Sequence, residues 1–249
     1  MKDIKEILLG RRSVRRYERQ PIEEEKLNFI YEAIRNTPTS YNGQQFSVVA
    51  VTDQSIKEQL YEIMGQKQVK TSAVFLVFCL DFHQLDIAAQ SKGIDFPDFQ
   101  NSLNGYTVGV VDAALAMHSA EVAAESLGLG CCSIGYARTA DPQKTSDILG
   151  LPEKVGIVCG LAIGYPRETP DLKPKRPVNI VVHKEKYSDD KTIVDELNEY
   201  DELVKKYNQE RCGDKTCNDW VGHILDYHRH EKEKHIEDYL KKRSVDIKL

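Results

Sequence analysis

Residues 127–135, Leu127-Gly128-Leu129-Gly130-Cys131-Cys132-Ser133-Ile134-Gly135, decide the fold class. Three glycines this close invite a dinucleotide-binding reading, but that fingerprint sits after a strand and opens a helix. Here the order is reversed. Upstream, 106–127 carries Val108, Val110, Val111, Ala113, Ala114, Leu115, Ala116, Met117, Ala120, Val122, Ala123 and Ala124, and is apolar nearly all round. A helix of that kind is buried on most sides, inside a domain or across a subunit interface. Gly128 then supplies its C-terminal stop, 131–134 reads as a short strand, and the chain turns at Gly135-Tyr136-Ala137-Arg138. With no Walker A loop either, an α+β layered fold is the expectation.

Outward from this stretch, strands and helices alternate without the even spacing of a doubly wound sheet. Strands are expected at 46–51, 73–80 and 155–164, the last two continuous apolar runs of the fully buried kind. Helices are expected at 22–34, with Glu23, Glu24 and Glu25 at its positive end, at 55–63 behind Asp53 or Ser55, and at 142–149 behind Asp141-Pro142. Residues 65–68 read as a polar loop and 178–183 as extended chain. Residues 83–104 are poorly patterned and read as an insertion, a candidate lid. Composition shifts at Lys184, so the chain divides into a core, 1–183, and a charged helical extension, 184–249, of the sort that wraps a partner surface.

The chain has 249 residues, 41% hydrophobic and 29% charged, with a formal net charge of -5. That balance fits a globular protein and argues against nucleic-acid binding over the whole surface. No apolar run approaches the roughly 20 residues that span a bilayer, and MKDIKEILLG is too charged for a signal peptide. Cys79, Cys131, Cys132 and Cys159 lie in apolar stretches and only Cys212 and Cys217 in polar ones, so a reducing, cytoplasmic setting is expected. The tail Cys212, Cys217, His223, His228, His230 and His235 lacks the spacing of a structural zinc site, and no metal is expected.

Against the acidic background, Arg11-Arg12-Ser13-Val14-Arg15-Arg16-Tyr17 concentrates four guanidinium groups and a hydroxyl. In extended chain, Arg11, Ser13 and Arg15 line one side and Arg12 and Arg16 the other, a geometry suited to a small anionic ligand. Two more polar loops border expected core elements: Thr39-Ser40-Tyr41-Asn42-Gly43-Gln44 and Lys173-Pro174-Lys175-Arg176. Together they suit a ligand with a phosphate at one end and a polar heterocycle at the other.

These motifs, in this order, resemble the signature of the FMN-dependent nitroreductases. Ala123-Ala124-Glu125-Ser126-Leu127-Gly128-Leu129-Gly130, with Ile134-Gly135 and Arg138, resembles the family's middle motif. Pro170-Asp171-Leu172-Lys173-Pro174-Lys175-Arg176-Pro177 resembles the loop of its NADPH-preferring, oxygen-insensitive branch, which includes NADPH-flavin oxidoreductases. The resemblance implies a nitroreductase-like α+β fold, a central, mostly antiparallel sheet flanked by helices, with a helical C-terminal extension. It implies a homodimer with FMN at the subunit interface, and hydride passing by a ping-pong route from NADPH or NADH through flavin N5 to nitroaromatics, quinones or free flavin. A low-turnover flavin carrier or redox sensor is the alternative.

The resemblance also places residues. Arg11, Arg12, Ser13 and Arg15 match the stretch holding the FMN phosphate, ribityl chain and pyrimidine edge. Thr39, Ser40 and Asn42 match the loop supplied by the second subunit. Gln66 and Gln68 match polar contacts to the ring, and Ile134, Gly135 and Tyr136 the segment beside it. Lys173 matches a lysine near the flavin, and either Lys175 or Arg176 takes the phosphate. No side chain acts as acid, base or nucleophile; Arg15 and Lys173 give electrostatic support to the reduced, anionic ring. Arg138, Arg211 and Lys215 are the nucleotide-binding candidates, Lys215 replacing an arginine of the family pattern.

Overall fold

The computed structural model describes residues 3–212, 219–230 and 236–247. In chain order the elements are α1 (Ile4–Gly10), α2 (Glu24–Arg35), β1 (Phe46–Val51), α3 (Gln54–Met64), α4 (Lys67–Thr71), β2 (Val74–Asp81) and α5 (His83–Ser91). Then follow α6 (Leu103–Ser126), β3 (Gly130–Ile134), α7 (Tyr136–Thr139), α8 (Pro142–Leu149), β4 (Val155–Gly164), α9 (Asp190–Cys212), α10 (Trp220–His230) and α11 (Ile236–Lys242). They form two compact units, one of Met1–Pro170 with Lys234–Leu249, the other of Asp171–Glu233.

In the first unit the strands make one antiparallel sheet in the order β1-β2-β4-β3. β2 is buried at every position, as its unbroken apolar sequence requires when both faces are covered. α6 lies against the sheet. At Gly109 an added Cβ would stand 2.8 Å from Leu80 Cβ, so the missing side chain lets helix and strand touch. The expected α+β layering and antiparallel sheet are both present.

Local signals act as expected at several ends. Asp53 accepts from Ile56 N at 3.0 Å and opens α3, and Asp141 accepts from Lys144 N at 3.0 Å ahead of Pro142. Two expectations are corrected. Residues 65–68 are not simply a loop: Gln66 is the N-cap of α4, which carries Gln68. Residues 178–183 are not extended, since Val178–Ile180 is a 3₁₀ turn behind Pro177, with no ladder partner there among the described residues to favour a strand. The 83–104 segment contains α5 and a 3₁₀ turn, Asp98–Asn101, whose Phe99 meets Phe82 edge-on at 6.2 Å.

The C-terminal segment belongs to the first unit. Tyr239 Oη lies 2.9 Å from Ser146 Oγ and accepts from Ile157 N at 3.1 Å. Buried Arg243 donates to the carbonyls of Leu151, Pro152 and Val155. A buried guanidinium spent on carbonyls ties α11 firmly to the end of α8 and the start of β4.

Candidate functional site

The arginine stretch is extended, and two apolar anchors fix it. Val14 N donates to Cys131 O at 2.8 Å, Ser13 bridges Cys131 in parallel, and Tyr17 bridges Pro166. Val14 and Tyr17 are buried. Val14 fits because Gly130 has no side chain: a Cβ there would stand 2.8 Å from Val14 Cβ. Tyr17 Oη donates within reach of Val14 O, 2.7 Å, and Ala162 O, 3.1 Å, and burial raises the phenol far above its ordinary range. The anchors face the core, so the charged side chains lie along the edge of β3.

Each arginine has its own setting. Arg11 Nη2 makes an ion pair with Glu121 on α6, a carboxylate only 8% exposed, while Arg11 Nε is buried without a hydrogen-bond partner among the described residues. Arg12 donates to Pro170 O at 2.8 Å and Gly10 O at 3.2 Å. Arg15 is exposed and reaches Ser13 O at 3.3 Å. Arg16 Nε stands 3.6 Å from Glu168 Oε2, and Glu168 Oε1 accepts from the backbone N–H of Arg15 and Arg16 at 2.6 and 3.2 Å. Glu168 therefore acts as a clip on the backbone of the basic stretch.

Gln66 and Gln68 come to the same place from α4. Gln68 Nε2 donates to Gln66 Oε1 at 3.0 Å and lies 3.9 Å from Cys132 Sγ. Burial raises the Cys132 thiol; Arg15, the Gln68 contact and Arg11 each oppose that rise, because all three stand close to it. Ile134 is buried, open space lies where a Gly135 Cβ would be, and Tyr136 is exposed. Arg11, Arg15 and Gln68 thus meet around Cys132, Gln66 joins them through Gln68, and 134–136 follow Cys132 at the end of β3. Arg138 points elsewhere, donating to Val158 O at 2.6 Å.

The loop carrying Thr39, Ser40 and Asn42 is held apart from this cluster within the chain. Asp112, fully buried on α6, accepts from Ser40 N through one carboxylate oxygen and from Gln45 N through the other, both at 3.1 Å. The loop needs such a clamp, because Tyr41, Asn42 and Gln44 all have left-handed φ, 41°, 56° and 52°. Asp112 and Glu121 are nine positions apart, which on an α-helix is about 13 Å along the axis and about half a turn around it. α6 therefore carries the polar loop and the arginine cluster on opposite sides.

In the second unit, Arg176 lies over the Trp220 ring at 5.6 Å, Trp220 meets Tyr200 edge-on at 5.7 Å, and Tyr200 Oη donates to Pro174 O at 3.3 Å. Asp201 Oδ1 accepts from Trp220 N and Val221 N, both at 3.1 Å. Lys173 and Lys175 are exposed on the same proline-stiffened loop, and Arg211 stands in the last turn of α9. Lys215, Cys217 and His235 lie outside the described residues. Among the described residues no group of three His, Cys, Asp or Glu is set to hold a metal, and no helix is long and apolar enough to cross a membrane.

The sequence reading missed Asp112, Glu121, Glu168 and Trp220. For the first two a signal was available: carboxylates inside an otherwise apolar helix are buried only when partnered. Glu168 and Trp220 carried none.

A four-stranded antiparallel sheet in an α+β layering, with an arginine-rich segment along its β3 edge, defines the class. The chain belongs to the nitroreductase family, whose family model matches residues 8–165 and whose C-terminal domain model matches 173–248. It is 35% identical over 252 residues to the FMN reductase [NAD(P)H] of Bacillus subtilis, covering 99% of each chain. It is also 35% identical to the oxygen-insensitive NADPH nitroreductase of Salmonella typhimurium, covering 95% of each. Its fold matches a solved Bacillus subtilis oxidoreductase, called hypothetical, with a TM-score of 0.95 at 34% identity and full coverage of both chains.

Proposed function

We propose that this protein is an FMN-dependent NAD(P)H oxidoreductase that works as a homodimer and reduces small, flat aromatic acceptors such as nitroaromatics, quinones or free flavin. Family membership supports the class, and the relatives' names support FMN with NADPH, NADH remaining a second reductant. The observation that carries the site is Arg11 Nε, a buried cationic N–H lacking an acceptor beside Arg15, Gln66 and Gln68. A ligand oxygen there satisfies it, and the donor set fits FMN: cations for phosphate and reduced ring, amides for the heteroatom edge.

When bound, FMN supplies the two-electron chemistry. The chain's residues bind, orient and shield. Arg12 and Ser13 face the phosphate and ribityl end. Arg15 stabilises negative charge on the ring edge, and 134–136 leave the ring face open to nucleotide and acceptor in turn. Arg211 and Lys215 take the nucleotide's phosphate. Arg138, with one N–H already committed to Val158 O, contributes from its remaining donors.

Two features support the homodimer. Loop 39–44 and Arg11 sit on opposite sides of α6, so a site using both draws them from two copies. Between them α6 exposes Val111 and Leu115, four positions apart, an apolar stripe that a second copy covers. Of the expected wrapping extension, 184–249, α11 packs on its own chain through Tyr239, which leaves α9 and α10 to reach that copy.

Anaerobic stopped-flow of the yellow protein tests the reading. NADPH or NADH should bleach the flavin rapidly and a nitroaromatic should restore the colour, with parallel double-reciprocal plots in steady state. Bound flavin that neither nucleotide bleaches favours the carrier reading instead.

A further inference from the structure

The pairing of Arg11 with Glu121 raises a question about charge. A cradle of bare arginines would bind the anionic, reduced flavin far more tightly than the neutral oxidised ring, and so push the flavin toward a sluggish, well-filled electron sink. The chain does not present Arg11 bare. Glu121 reaches it from α6, is itself 8% exposed, and leaves only Nε of the guanidinium buried and unpartnered.

We propose that Glu121 is a positioning and charge-setting residue: it cancels most of the Arg11 charge, aims Nε at the bound flavin nucleotide, and thereby holds the flavin's reduction potential down. This rests on the flavin reading above.

Three observations converge on it. Glu121, Glu125 and Arg11 all act on the buried Cys131 thiol in β3, the two carboxylates adding to its burial-driven rise and Arg11 opposing it. Among the described residues the second cationic partner of Glu121 is His118, 3.8 Å from the other carboxylate oxygen and more than half exposed, so Arg11 is the closer and better shielded partner. The pair is also mostly out of water, where charges act on their neighbours more strongly than surface ion pairs do. Arg15, in contrast, is exposed, and among the described residues no carboxylate makes an ion pair with its guanidinium, which leaves it as the cation that stabilises the reduced ring.

The test is the midpoint potential of FMN in the holoenzyme, by equilibration with reference dyes, alongside the dissociation constant of oxidised FMN. Glu121→Gln keeps the shape and removes the charge. It should favour the two-electron reduced form about tenfold, a positive shift of about 30 mV. By linkage, reduced FMN should tighten relative to oxidised FMN by the same factor. Arg11→Gln should move the potential the other way, and Glu121→Asp, which keeps the carboxylate, should stay near the wild-type value. If Glu121 were only a brace, Glu121→Gln and Arg11→Gln would weaken both forms of FMN alike and leave the potential unmoved, which overturns the proposal alone. Wild-type protein with no affinity for FMN would overturn the flavin reading and the proposal together.

Discussion

Asp112→Asn is the sharpest probe of how the loop at 39–45 is held. The carboxylate accepts two backbone N–H groups, from Ser40 and Gln45, each at 3.1 Å in a fully buried setting. Hydrogen bonds to a charged group contribute about 1.5–3 kcal/mol each. Against them stand three non-glycine residues in left-handed backbone, Tyr41, Asn42 and Gln44, at a cost of about 1–2 kcal/mol each. The two sums are similar, so the loop keeps its shape only while both bonds persist. Asparagine preserves the volume, retains one acceptor, loses the charge and turns an amide N–H toward a backbone N–H. A loss of about 2–3 kcal/mol follows, which at this chain length lowers Tm by about 4–12 °C. Thermal melts followed by circular dichroism, with limited proteolysis across 39–45, read the stability and the loop separately. Protease sensitivity should rise within the loop, and FMN affinity should fall with it. A variant that melts within about 1 °C of wild type, with an intact loop and unchanged FMN affinity, would refute this account.

Two further predictions concern the basic loop and an exposed cluster. Because Arg176 is stacked on Trp220, the single tryptophan of the chain, Arg176→Ala should shift tryptophan emission, whereas Lys175→Ala should leave emission alone and weaken FMN more than riboflavin. The reverse pattern would make Arg176 the phosphate ligand. Glu23, its carboxylate held down to about 2 from an ordinary 4.5 by the Tyr165 hydroxyl first, then by its own backbone N–H and by Lys26, should titrate higher, part of the way back to its ordinary value, in Tyr165→Phe. A depressed carboxylate contributes to stability above its unfolded value and loses that contribution as pH falls, here between about 4.5 and about 2. Carbon-13 NMR of the Glu23 carboxyl reads both proteins, and an unchanged midpoint in the variant would rule Tyr165 out as the cause.

Much of the molecule was legible because its signals are local. The apolar runs 46–51 and 155–164 form β1 and β4 within the expected bounds, and Asp53, Asp141 and Gly128 mark helix ends through contacts reaching only a few residues. Where the expectation failed, the competing term was weak or distant. The turn at Val178–Ile180 arises in a β-branched run that finds no strand to pair with, and α4 grows from a polar stretch whose Val69 is fully buried.

By itself the sequence determined the α+β class, the family resemblance and the chemical types of the cradle, since all three rest on order and periodicity along the chain. Only the tertiary structure decided how those types are used. It set Glu121 against Arg11, Asp112 beneath the loop at Ser40, and Trp220 under Arg176, pairs separated by 110, 72 and 44 positions respectively. A charge's strength depends on what lies opposite it and on how much water remains between them. Neither is written in the neighbouring residues, which is why four similar arginines in sequence have four different settings in the fold.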